Sequence, residues 1–195
     1  MNKYLVTIAL ATVSVLLHGC ATHISSDVVQ NPPPLEKFSG FTRFEMAEVK
    51  VLPPYAGQEA NEKALAKIRE NVTAKMRPML EQWNAAGAKS VPQRTLLIEP
   101  VVPEIKFVNA TARVWSGAMA GSSAVILRAR ISEKESGRVI ATPEFFARAA
   151  AISGSLSLGS ADNVMLVRIA NRLTDYLQAN YAGAVGGPSG KDPAK

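Results

Sequence analysis

Cys20 is the only cysteine in a chain of 195 residues, and the residues around it define what its thiol is for. It closes the tetrapeptide Leu17-His18-Gly19-Cys20, behind Lys3 and an apolar run over residues 4–17 broken only by Thr7, Thr12 and Ser14. A positive start, an apolar stretch and a small residue before the cut are the parts of a secretory signal. With a cysteine directly after the small residue, the chemistry is lipidation. The thiol is acylated, the chain is cut just before it, and the new amino terminus is acylated in turn. Several acyl chains anchor stably, since each buried methylene contributes about 0.8 kcal/mol. A membrane-spanning helix needs roughly 20 apolar residues, more than this run supplies. An ordinary signal cleavage would leave Cys20 as an unpaired thiol in an oxidising compartment, an unattractive outcome.

Other chemistries fare worse. The histidines are His18, removed with the signal, and His23, beside the membrane, so sites built on His or Cys clusters are not expected. Gly121-Ser122-Ser123 and Gly154-Ser155-Leu156-Ser157 lack the G-x-S-x-G elbow, and the mature domain has no histidine base to activate a serine. Gly117-Ala118-Met119-Ala120-Gly121 lacks the Gly-Lys-Ser/Thr ending of a phosphate loop. We therefore expect no enzyme, no metal and no cofactor. Arg113, Arg128, Arg130 and Arg148 are more informative. Antiparallel pairing would gather Arg128, Arg130 and Arg148 on one sheet face as a patch for phosphate-bearing headgroups. The competing reading is a solvated face with local ion pairs. Trp115 completes the candidate patch as an exposed anchor for a partner, against the commoner fate of a buried aromatic.

The elements that would position these residues follow from composition and pattern. Hydrophobic residues make up 47% and charged residues 19%, enough apolar material for one sizeable core. The formal charge is +6, with a pI near 9.6. In an exported protein this points to anionic lipid, lipopolysaccharide or peptidoglycan rather than nucleic acid, or simply to solubility. A single cysteine excludes an internal disulfide.

Residues 1–19 read as the signal peptide, and 20–39 as the lipidated cysteine and a flexible tether stiffened by Pro32-Pro33-Pro34. Residues 40–182 form one domain, and the Gly/Pro/Lys-rich 183–195 a disordered tail. Within the domain a strand is expected over 41–52, ended by Pro53-Pro54. A helix follows over 58–84, with a kink or break at Pro78. A strand over 94–108 carries Pro100 and Pro103, which demand bulges or an edge position. A hairpin pairs 124–132 with 139–151 across the Ser136-Gly137 turn. The last helix spans 161–181, capped by Ser160 or Asp162, with Val164, Val167, Ala170, Leu173 and Leu177 as its core stripe. The order predicts an α+β two-layer sandwich, a mostly antiparallel four-stranded sheet with two helices packed on one face.

From Arg113 onward the chain resembles a broad family of bacterial lipoproteins known mainly as a domain of unknown function. The resemblance lies in A-R-V-W-S-G-A-M-A-G-S-S-A-V-I-L-R-A-R-I, then E-S-G-R-V-I-A-T-P-E-F-F, then D-N-V-M-L-V-R-I. Arg113, Gly117, Gly121, Gly137 and Val139 fill the family's places, and Glu133 stands where many members have Asp. It is also distantly similar to periplasmic domains of envelope assembly and secretion lipoproteins. The resemblance implies fold and location and supplies no catalytic residue. By resemblance to enterobacterial lipoproteins, Ala21 rather than Asp after the cysteine favours the outer membrane, facing the periplasm. The expectation is thus a non-enzymatic, membrane-anchored domain that binds an envelope protein or its own copies. Strand edges and residues 109–123 would be its contact surfaces. The alternative is a module for a lipid or other amphipathic anionic ligand, held in a groove between sheet and helices rimmed by Arg113, Arg128 or Arg148.

Overall fold

In the computed structural model, which describes residues 23–87, 92–107, 122–149 and 160–192, the apolar spacing of the first helix becomes a buried stripe. Ala64, Leu65, Ile68, Val72, Met76, Met79, Leu80 and Trp83 line one side of α1, Glu59–Gly87. Pro78 does not break it. Both Pro78 and Ala74, whose carbonyl loses its donor, lie on the exposed side, where water can take the lost bond.

The sheet has the expected lanes, with two of them divided. Strands β2 (Arg43–Met46) and β3 (Lys50–Val51) occupy the first lane, beside β4 (Thr95–Lys106). Next comes β5 (Ala124–Glu133), and then β6 (Val139–Ala141) and β7 (Glu144–Arg148) in the last lane. The first lane runs parallel to β4 and the remaining pairings are antiparallel, so the sheet is mixed, six strands in four lanes. The parallel pairing follows from α1, a crossover long enough to return the chain in the same direction.

The prolines explain the divisions. Ala129 sends its N–H to Pro143 O, away from β4, so its partner Pro100 also points its nitrogen away from β5. That nitrogen faces the gap between β2 and β3, where no donor is required. Pro103 sits in the register shift between Val101 and Glu104. Thr142-Pro143 separates β6 from β7.

Helix α2, Ser160–Ala182, packs beside α1 on the same sheet face. Its buried side is rotated from the expected stripe. Val164 and Val167 are 53% and 38% exposed, while Met165, Leu166, Ile169 and Tyr176 join Ala170, Leu173 and Leu177 inside. Trp83 stacks on Tyr181 at 4.3 Å, locking the two helices together.

The expected tether and tail are corrected by the packing. Residues 23–39 and 183–192 are built into the domain. Phe38, in a 3-10 turn over Phe38–Gly40, is fully buried, and Ile24 nearly so. Strand β1 (Gln30–Asn31) pairs antiparallel with β8 (Gly187–Pro188). Asn180 closes α2 by accepting from the N–H groups of Val185 and Gly186 and donating to the carbonyls of Tyr176 and Gly186. The three prolines stiffen a segment whose backbone partners lie elsewhere in the fold, so it docks extended rather than staying loose.

Candidate functional site

Strand alternation gives the sheet two unlike faces. Val125, Leu127, Ala129 and Ile131 of β5 face the helices and the main core. Ala124, Ile126, Arg128 and Arg130 face the other way. Register puts Arg148 opposite Ala124 and Glu144 opposite Arg128, so the three arginines do share one face, as expected. It is the face away from both helices. The groove between sheet and helices is therefore not where Arg128 and Arg148 stand. Cys20, Arg113 and Trp115 lie outside the described residues.

The arginines on this face differ in their partners. Arg128 Nε donates to Glu144 Oε2 at 2.6 Å, and Arg130 Nη1 to Glu99 Oε2 at 2.8 Å. Arg148 has no carboxylate partner among the described residues. Its Nη2 donates to Ile24 O at 2.8 Å and lies 3.3 Å from His23 Nε2, its guanidinium stands over the Phe146 ring, and its buried Nε has no partner there.

The N-terminal segment forms a partial third layer on this face, which the sequence did not disclose. Ile24 packs on Ala124, Ile126 and Phe146. Ser26 Oγ donates to Glu144 Oε1. The Asn31 amide donates to Glu144 O at 2.9 Å and accepts from its N–H at 2.8 Å. Glu144 is thereby bonded through both its main chain and its carboxylate. Ser26 and Asn31 read as coil residues because their partner lies more than a hundred positions away; their only signal was their hydrogen-bonding capacity.

The free edges of the sheet are also capped. On the last lane, Phe146 N–H donates to Ser189 O, and Ile140 O accepts from Leu35 N–H. On the first lane, the Asn84 amide accepts from Phe44 N–H at 2.7 Å and donates to Phe44 O at 3.1 Å, and Arg69 donates to Val49 O. Caps of this kind block pairing with another chain.

A charged cluster clamps the start of the domain. Arg94 donates to Glu36 Oε1 at 2.9 Å and to Glu133 Oε1 at 2.7 Å while lying over Phe41, and Arg138 joins Glu36. The Arg94 hydrogen bond holds the Glu36 carboxyl below its usual range. Ser136, then Arg94, do the same for Glu133, and the two carboxylates hold Arg94 more firmly in its charged form. Burial pushes the Tyr176 hydroxyl up to about 12, where it donates to Pro32 O.

Among the described residues, no group of three or more His, Cys, Asp or Glu is placed to hold a metal ion, and no helix is long and apolar enough to cross a membrane. Grooves on the described surface include one of about 390 Å³ along α1 at Arg69 and Arg77 and one of about 370 Å³ at Leu35, Val139 and Tyr176.

No family model matches the chain, and no curated protein matches it significantly. Solved structures with a similar arrangement include protein XCC0632 from Xanthomonas campestris, of family DUF330, at 13% identity and a TM-score of 0.37, covering 77% of this chain and 89% of that one. A PelC dodecamer from Paraburkholderia phytofirmans is 14% identical with a TM-score of 0.36, covering 73% and 95%. Hypothetical protein CT253 from Chlamydia trachomatis is 12% identical with a TM-score of 0.35, covering 74% and 97%. At these values no residue's role passes from one chain to another.

Proposed function

We propose that this is a bacterial envelope lipoprotein, anchored by acyl chains on Cys20 in the outer membrane and facing the periplasm. Its domain is non-enzymatic and engages another envelope protein or further copies of itself. The observation that carries this reading is the Leu17-His18-Gly19-Cys20 box behind its apolar run. Ile24 and Phe38 are buried in the fold, so an anchor on Cys20 would hold the domain close to the membrane. Capped strand edges disfavour main-chain pairing with a partner, so association would run through side-chain surfaces.

The test is mild-detergent extraction from native membranes, followed by mass spectrometry of everything that stays bound, comparing wild type with Cys20→Ser. The expected result is a stoichiometric protein, or a defined homo-oligomer, lost or reduced with the anchor. A clean monomer carrying nothing would overturn the interaction role. A clean monomer carrying lipid would replace it with ligand binding.

A further inference from the structure

Ile24 is fixed in the fold, and Cys20 stands four residues before it. Ile24 is buried against Ala124, Ile126 and Phe146, and Arg148 holds its carbonyl. An extended chain covers at most about 3.6 Å per residue, so Cys20 lies within about 14 Å of Ile24 whatever path residues 21–23 take. The headgroup layer itself is roughly 5–7 Å deep on each side of the hydrocarbon. Acyl chains on Cys20 begin at that hydrocarbon boundary, which leaves little slack between bilayer and domain.

Charge on the outer face follows the same direction. Lys106, Ala124 and Arg148 form one row across β4, β5 and β7. Neither cation of that row is ion-paired with a carboxylate among the described residues. Further along the face, Arg128 and Arg130 are paired with Glu144 and Glu99. The adjoining row carries one carboxylate, Glu104, opposite Ile126. Among the described residues, the two cations of this face without a carboxylate partner, Lys106 and Arg148, therefore stand at the end where Ile24 is docked.

We infer that the Lys106–Arg148 end of the outer sheet face rests on phosphate-bearing lipid headgroups, fixing the domain's orientation on the membrane. The placement rests on the acylated Cys20 proposed above. The helices α1 and α2, on the opposite sheet face, then point away from the bilayer and are left free for a partner.

The test uses the full acylated protein, extracted from membranes and reconstituted into vesicles of phosphatidylethanolamine and phosphatidylglycerol containing a headgroup-attached quencher. Because Cys20 is the only cysteine and its thiol is acylated, an introduced cysteine takes a fluorophore at one place. Probes go at Glu104→Cys, on the outer face, and at Lys67→Cys, on the exposed side of α1. Quenching at the first should exceed that at the second severalfold, and Lys106→Glu should shrink the difference. Inserting about ten Gly/Ser residues between Thr22 and His23, a flexible span of roughly 17 Å, should remove it while the protein still floats with the vesicles. Equal quenching at both positions without the insertion, with flotation intact, overturns the orientation and leaves the anchor standing. Quenching at Glu104→Cys that appears only when a second membrane protein is added overturns it in favour of a protein contact. Protein that neither floats nor carries acyl mass on Cys20 removes the anchor and the orientation together.

Discussion

The side-chain amide of Asn31 brackets the main chain of Glu144, accepting its N–H at 2.8 Å and donating to its carbonyl at 2.9 Å. It does for the edge of β7 what a neighbouring strand would do. Asn31→Ala leaves both groups of Glu144 buried without these partners, and an unmet buried donor or acceptor costs about 1–3 kcal/mol. Chemical denaturation should show a loss of that order. Hydrogen exchange should quicken at the Glu144 amide before it quickens in β4. An unchanged Glu144 amide would count against the bracket.

Phe38 tests whether the supposed tether belongs to the core. It is 0% exposed, whereas Leu35, three positions earlier, is 72% exposed. Phe38→Ala should cost about 3–5 kcal/mol, as for other buried aromatics. Leu35→Ala should stay within about 0.5 kcal/mol. Equal, small effects in a denaturant titration would show that residues 23–39 are loosely held.

Gly186 makes the corresponding test for the C-terminal segment. Its φ is +76°, and an added Cβ would fall 2.4 Å from Asn31 O. A left-handed conformation costs a residue with a side chain roughly 1–2 kcal/mol before any clash. Gly186→Ala should therefore lower the melting temperature and expose residues 183–192 to protease. Gly137→Ala, with a similar φ but open space around it, should pay the conformational cost alone.

Acid should weaken the clamp at Arg94. Glu36 and Glu133 titrate below the ordinary 4.5 when folded, held down chiefly by Arg94 and by Ser136 respectively. A depressed folded value means stability fully present above the unfolded value and lost as pH falls through the folded one. Denaturant midpoints should be flat from neutral pH down to about 5 and then decline. Glu36→Gln should soften that decline, and a profile identical to wild type would show that the cluster contributes nothing to acid sensitivity.

Periodicity made the first helix legible residue by residue, because its stripe faces one continuous core. The same reasoning misplaced part of the second. Val164 and Val167 satisfy a helical spacing, but so do Met165, Leu166 and Ile169, and only the position of the sheet decides between the faces. The hairpin and its shared arginine face followed from alternation, whereas their ion-pair partners depended on register that a sequence does not print. The ordered ends were the least legible. Proline, serine, glycine and asparagine mark coil locally, and nothing local records that Asn31 and Ser189 complete the edge of a strand.

Acylation of Cys20 underlies both the anchoring and the orientation of the domain. Intact-mass and N-terminal peptide analysis of the protein extracted from native membranes measures it directly. The expected result is a mature chain beginning at Cys20, with lipid mass on both its thiol and its amino group. A chain that keeps residues 1–19, or that carries Cys20 as a free thiol, would contradict it.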